Sequence, residues 1–218
     1  MVESPINCDF HCVLWYYLYT KSKKRYKKMT KQQIVQYGDP GLRKVTSRVL
    51  KFDKSLRKLI EDMFETMYAS DGVGLAAPQI GVSKRVLVVD VDYSSKRYID
   101  EQTKKEVASY SPMVLINPVL IQKEGQIISK EGCLSFPNVV IDVIRFKKII
   151  VRYQDLLGKE RKLAAEDDLL CRCIQHEIDH LDGKLFVDKT ANELEMKKIL
   201  EEAGFGNVVS PASPIMIG

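Results

Sequence analysis

Long apolar runs are missing from this chain. The apolar stretch at residues 12–19 is eight residues long, far short of the ~20 that a helix needs to cross a bilayer, so stable membrane insertion is not expected. A basic run follows that stretch instead of preceding it, which is the wrong order for a secretory signal. Cysteine is sparse and odd in number. Cys8, Cys12, Cys133, Cys171 and Cys173 are unevenly spread and do not read as a disulfide framework, which points to a reducing compartment. Excess charge is also scarce outside one segment. The net charge is +5, and residues 1–28 hold six Lys and Arg against Glu3 and Asp9, so +4 belongs to them and +1 to the other 190 residues. No basic patch beyond that extension stands out, and specific nucleic-acid binding is not expected. Internal repeats are absent, and histidine is the scarcest titratable residue, with three in the chain.

What is present fits one soluble domain. At 218 residues, 45% hydrophobic and 29% charged, the chain can bury a sizeable core. Residues 1–28 lack globular patterning. They read either as a targeting or membrane-surface segment, which would make the protein organellar, or as sequence upstream of a start at Met29. The second reading is favoured. Residues 29–190 are expected to form the main domain, and 191–218 a C-terminal helix and loose tail.

From Asp53, a plausible N-cap, Leu56, Leu59, Ile60, Met63, Phe64 and Met67 recur at helical spacing, a stripe read as core. Gly72 lies just beyond. Strands are expected at 85–91, 114–121 and 148–153, with a polar, exposed excursion over 92–111. A second helix is expected from about 166 to 181, with Gly183 as stop, and a third over 190–203. Strands, helix, strands, helix without regular βα alternation predicts an α+β fold, its largely antiparallel sheets packed around a central metal-bearing helix.

That helix carries Gln175-His176-Glu177-Ile178-Asp179-His180. Histidines at i and i+4 project from one helix face and can reach a single ion, while Glu177 stays free beside it as a base. Histidine pairs on helices are often only surface residues. The glutamate between these two, and the apolar Leu169, Leu170, Ile174, Ile178 and Leu181 around them, argue against that reading.

Cys173 shares their face, yet at 1.5 Å per residue it lies about 10 Å along the axis from His180, too far for bonds of ~2.0–2.3 Å to one ion. Cys173 is expected to line the pocket and Cys171 to be a small buried hydrophobe. Cys133, on a separate loop, completes a Cys-His-His set whose fourth position stays open to water or substrate. The loop at 71–79 is no phosphate loop, because it lacks the Gly-Lys-Ser/Thr ending. Glycines at 72 and 74 permit close approach of another backbone, as in edge-on pairing with a peptide, and Gln79 offers an amide donor for an oxyanion.

Three segments, Gly72-Val73-Gly74-Leu75-Ala76-Ala77-Pro78-Gln79, Glu131-Gly132-Cys133-Leu134-Ser135 and Gln175 to His180, resemble in order and spacing the signature motifs of the peptide deformylase family. The likeness spans about residues 34–190. It implies removal of the N-formyl group from the initiator methionine of nascent polypeptides, with release of formate. Cys133, His176 and His180 would bind one divalent metal, Fe²⁺ in most members and Zn²⁺ in some; the thiolate–imidazole set also suits Ni²⁺ or Co²⁺.

By the same resemblance Glu177 is the acid–base, and Gln79 and the Leu134 N–H hold the oxyanion. Val73, Gly74 and Gly132 would pair with the peptide backbone. Leu169, Cys173 and His176 would line the methionine pocket, and Glu131 would support the metal loop. Arg172 stands where many members place an apolar residue; its stem can line the pocket while its head reaches water. Position alone suggests transient ribosome contact through the C-terminal region. The rival readings are a zincin-type metallopeptidase, with its third ligand among Glu193, Glu195, Glu201 and Glu202, and a metal-stapled binding domain.

Overall fold

The structure is a computed structural model that describes residues 31–92, 97–99, 106–108 and 111–206. The expectations for 1–28 and for the tail beyond 206 fall outside those residues.

Helix α1 (Lys54–Tyr68) starts where expected. The Asp53 carboxylate accepts hydrogen bonds from the backbone N–H of Ser55 (2.9 Å) and Leu56 (3.1 Å), two of the donors a helix start leaves unpaired. Leu56, Ile60, Met63, Phe64 and Met67 are all buried, so the methionine-bearing stripe is core. Each such side chain, taken out of water, contributes roughly 1.5–3 kcal/mol.

Nine strands follow among the described residues: β1 (Gly74–Ala76), β2 (Val86–Val89), β3 (Arg97–Ile99), β4 (Glu106–Ala108), β5 (Met113–Glu124), β6 (Ile127–Cys133), β7 (Phe136–Arg145), β8 (Lys148–Gln154) and β9 (Glu160–Glu166). Five of them form one sheet in the order β1-β2-β5-β8-β9, every pair antiparallel. β3–β4 and β6–β7 are separate antiparallel hairpins. The three strands expected from sequence are β2, β5 and β8. β6, β7 and β9 were not anticipated, because their alternation is masked: β9 is mostly charged, and Pro137, Asn138 and Asp142 interrupt β7. Part of the 92–111 excursion proves to be the β3–β4 pairing.

The sheet is covered on both sides. Val86, Val88, Val114 and Ile116 pack on α1, while Leu87, Val89, Leu115, Ile149 and Val151 face α2 (Leu169–Leu181). A strand buried on both faces has no polar positions, which is why β2 is a continuous aliphatic run.

Helix α2 begins three residues later than the expected 166. Glu166 still belongs to β9, Asp167 takes a left-handed conformation (φ 52°), and the Asp168 carboxylate caps the helix by accepting from Cys171 N at 2.6 Å. The stop is as read. Gly183 has φ 68°, and a Cβ there would sit 2.4 Å from the Arg43 carbonyl oxygen, so any other residue is strained and crowded.

Helix α3 (Glu193–Glu202) is shorter than the expected 190–203, because Asn192 caps it and Phe186–Lys189 forms a separate 3₁₀ turn. Met196, Ile199, Leu200 and Phe205 pack with Tyr37 and Phe136, whose rings stack at 4.3 Å. Ala191 N donates to the Asp142 carbonyl at 2.8 Å, fastening this segment to β7. Among the described residues, no helix is long and apolar enough to cross a membrane.

Candidate metal centre and active site

His176 and His180 are buried on one face of α2, ring centroids 5.0 Å apart. Cys133 ends β6 at a register shift between Gly132 and Cys133, a bulge that aims its sulfur at the helix. Cys133 Sγ lies 3.3 Å from His180 Nε2, and the ligand atoms of Cys133, His176 and His180 all fall within 4.8 Å of one another. Among the described residues this is the one such cluster of three. Cys173 is not in it: its thiol is buried, donates to the Val73 carbonyl at 3.6 Å and is pushed well up by burial, as the axial-distance argument requires. Cys171 is buried against the Phe146 and Lys147 carbonyls. Glu193, Glu195, Glu201 and Glu202 are exposed on α3, outside the cluster, so the zincin ligand order is not realised.

The donor set fits a divalent cation. His176 Nδ1 donates to Glu131 Oε2 at 2.9 Å, which leaves Nε2 with its lone pair as the ligand atom. Burial alone would raise Glu131, but Arg145 and His176 outweigh it and lower the carboxyl to about 2. His176 is displaced upward: burial lowers it, and Cys133 and Glu131 more than reverse that. His180 is lowered by burial and by the neighbouring His176 and Arg145. Two buried atoms at the site, His180 Nδ1 and Glu177 Oε2, have no hydrogen-bond partner among the described residues, as expected where an ion, water or substrate completes the polar contacts.

Behind Glu131 runs a chain of charge. Arg145, 2% exposed, donates from Nε and Nη2 to the two Glu131 oxygens (2.7 and 2.8 Å) and from Nη1 to Asp179 Oδ2. Lys189 pairs with the other Asp179 oxygen at 3.2 Å. A bidentate guanidinium fixes the plane of Glu131 and hence the ring of His176. No sequence expectation named Arg145. The signal was there: Val139, Ile141 and Val143 alternate inward on β7, and the same alternation carries Arg145 into the interior, where an arginine needs carboxylate partners. Asp179, inside the histidine motif, was likewise read without a role.

Glu177 and Gly74 are interlocked. A Cβ at Gly74 would lie 2.5 Å from Cys173 Sγ and 2.6 Å from Glu177 Oε1. Besides lining the cleft, as expected for a residue that admits another backbone, Gly74 leaves room for two side chains of α2. Burial raises the Glu177 carboxyl to about 7 despite the opposing pull of His176. Gln79, 1% exposed, accepts from Ala76 N through Oε1 (2.8 Å), which turns its Nε2 toward Cys133 Sγ (3.6 Å) and Ser135 Oγ (3.4 Å). Its amide donor therefore points at the metal cluster.

A cleft of about 620 Å³ opens over these groups. Val73, Gly74, Gly132, Leu134, Leu169, Arg172 and Cys173 line it together with His176 and Glu177, so the expected substrate-contact residues converge on one space. Its two walls are β1, the edge of the five-stranded sheet, and β6, the free strand of its hairpin. Ile34, Gln36, Lys130 and Asn138 also line it and were not anticipated.

The model of the polypeptide deformylase family matches residues 31–196. A peptide deformylase of Prochlorococcus marinus (strain NATL1A) is 44% identical over 174 residues, 79% of this chain and 80% of the relative. Among solved structures, a peptide deformylase from Synechococcus elongatus in complex with actinonin is 38% identical with a TM-score of 0.73, covering 86% of this chain and 95% of that one. The Thermotoga maritima peptide deformylase is 38% identical with a TM-score of 0.64, over 75% of this chain and 99% of that one.

Proposed function

The chain belongs to the polypeptide deformylase family, whose activity is removal of the formyl group from N-formylmethionyl peptides, and we propose the roles its residues take in that hydrolysis. Cys133, His176 and His180 hold one divalent metal. Fe²⁺ is proposed as the native ion; Zn²⁺, Ni²⁺ and Co²⁺ suit the same thiolate and imidazole donors. A divalent ion held there polarises a carbonyl oxygen and makes water a stronger acid. Glu131, locked by Arg145, keeps His176 in the tautomer that presents Nε2.

Glu177 is the proton carrier. Its unpartnered Oε2 accepts a proton from the attacking water, and the same carboxyl then delivers that proton to the departing methionine amine, which balances formate release. Gln79 Nε2 and the Leu134 backbone N–H donate to the oxygen of the formyl group as its carbon becomes tetrahedral. The peptide lies between the β1 edge at Val73 and Gly74 and the β6 edge at Gly132, pairing as an added strand. Leu169, the stem of Arg172, Cys173 and His176 receive the methionine side chain. The observation that carries this reading is the convergence of a Cys-His-His cluster, a buried free carboxylate and an aimed amide donor in one cleft.

Three unpaired thiols among the described residues support a cytoplasmic location, or an organellar one if residues 1–28 are a targeting segment. Transient ribosome contact is proposed from chain position. α3 carries four glutamates against Lys197 and Lys198, so contact with RNA would fall to other residues.

The test is formate release from formyl-Met-Ala by wild type and by Glu177→Ala. The variant should keep its metal content and its melting transition while losing at least ~10²-fold in turnover. Normal turnover in Glu177→Ala would refute the assignment, and cleavage of unformylated peptides would restore the peptidase reading.

A further inference from the structure

Away from the catalytic cleft, charge and exposed aliphatic surface coincide on one face. Contrary to the expectation of no basic patch beyond residues 1–28, residues 43–58 contain seven lysines and arginines and one acid, Asp53, a net +6 that the +1 balance of residues 29–218 as a whole conceals. Arg43 pairs with Asp188 and Lys58 with Asp62. Lys44, Arg48, Lys51, Lys54 and Arg57 form no hydrogen bond or ion pair through their side chains among the described residues. Set between these free cations, Val45 is 70% exposed and Leu50 85% exposed.

The exposure is imposed by the fold. Thr46 is buried, and its N–H and hydroxyl both donate to the Leu181 carbonyl at 2.9 Å. Val49 is buried, its N–H and C=O held by the Asn117 side chain at 2.8 and 2.9 Å. With 46 and 49 clamped, Val45, Arg48 and Leu50 project outward from a backbone that cannot roll to hide them. A cleft of about 500 Å³ adjoins the segment; Val45, Arg48 and Val119 line it, together with Arg85, which pairs with Asp182, and Arg152, which pairs with Glu160 across the same cleft. Val119 and, two residues on, Ile121 add further exposed aliphatic surface from β5. Arg85 immediately precedes β2, whereas Gly74 of the catalytic cleft pairs with Val89 at that strand's far end. This face is therefore at the opposite end of the strand from the active site and leaves the cleft open.

We propose that this face docks the enzyme peripherally on an anionic lipid bilayer, with Leu50 and Val45 entering the interface and the free cations contacting acidic headgroups. The chemistry selects this partner over two others. A second copy of the chain meeting face to face would set cations against cations. A nucleic-acid strand would use the cations, but the most exposed apolar groups here are aliphatic rather than aromatic and offer bases nothing to stack on. A bilayer uses both components at once: apolar side chains bury at the headgroup boundary, and basic residues are drawn to the negative surface. The inference is independent of the deformylase assignment, since no residue of the cleft takes part.

The test is co-sedimentation of the full chain with mixed phosphatidylglycerol–phosphatidylcholine vesicles and with phosphatidylcholine vesicles alone. Binding is expected to the first and not the second, and to weaken as salt rises. Lys44→Ala/Arg48→Ala/Lys51→Ala should lower the partition constant on the order of a hundredfold. Leu50→Ser, with every cation retained, should lower it several-fold. Both variants should keep the wild-type melting temperature and turnover on a soluble formyl peptide. Failure to bind the anionic vesicles overturns the proposal. So does wild-type binding by both variants, which would place the contact elsewhere in the chain. Retention on homopolymeric RNA that ignores Leu50→Ser, or a dimer in sedimentation that Leu50→Ser dissolves, would overturn it in favour of those partners.

Discussion

Gly74→Ala tests the link between backbone packing and catalysis most directly. The added methyl would meet Cys173 Sγ at 2.5 Å and Glu177 Oε1 at 2.6 Å, well inside normal contact. Both neighbours are buried on α2, so neither can swing into solvent. Overpacking of this kind costs about 1–3 kcal/mol. For a chain of this size that lowers the melting temperature by roughly 2–12 °C. The catalytic cost should be larger than the stability cost suggests. Displacing the Glu177 carboxylate by about an ångström misplaces the proton acceptor, and such shifts cost on the order of a hundredfold in rate.

The two clashes can be separated. Cys173→Ala removes the sulfur but leaves Glu177 where it is, so the double variant Gly74→Ala/Cys173→Ala should recover part of the lost melting temperature. Deformylation of formyl-Met-Ala should stay depressed. The assays are a thermal melt and steady-state formate release on matched metal-loaded samples. A Gly74→Ala single variant with wild-type stability and wild-type turnover would refute the packing argument. Recovery of full activity in the double variant would show that Cys173, not Glu177, was the group displaced.

Other perturbations have equally definite outcomes. Arg145→Met strands Glu131 and Asp179 in the interior, and should cost about 3–5 kcal/mol in chemical denaturation and lower metal affinity roughly 10- to 100-fold in a chelator competition, because His176 loses its held partner. Asp155 accepts hydrogen bonds from Leu157 N and Lys159 N and pairs with Arg161. Burial would raise this carboxyl, but the Lys159 and Leu157 amides and Arg161 keep it below its ordinary value. A depressed carboxyl contributes stability that is present above its unfolded pKa and lost as pH falls through its folded pKa. Asp155→Asn should therefore remove part of the acid-side fall in stability, and an unchanged stability–pH profile would refute the assignment. Stripping the metal with a chelator should abolish formate release and lower the melting temperature, and the divalent ion should restore both; the linkage is about 2.7 kcal/mol at a hundredfold excess over Kd.

Local rules made the helices and the metal chemistry readable. Asp53 and the Leu56-to-Met67 stripe determined α1, because capping and periodicity act within a few residues. The spacing of His176, Glu177 and His180 determined which groups could share an ion, and the axial rise of a helix was enough to exclude Cys173. The order of the three motifs carried the family. Strand pairing was harder to see. β6, β7 and β9 alternate against neighbours distant in sequence, and their faces differ only once those neighbours are in place.

Tertiary structure alone decided the rest. It brought Arg145 to Glu131 across the β6–β7 hairpin and to Asp179 on α2. It brought Cys133 within 3.6 Å of the Gln79 amide. It also packed the Cys173 and Glu177 side chains against Gly74, a contact the chain by itself did not show. Each of these depends on a charge, an amide or a missing Cβ meeting a partner across the fold. Arg145 and Asp179, Gln79 and Cys133, and Gly74 and Glu177 lie too far apart for any local rule to pair them, so the ion's ligands could be named from the chain while the groups that aim them could not.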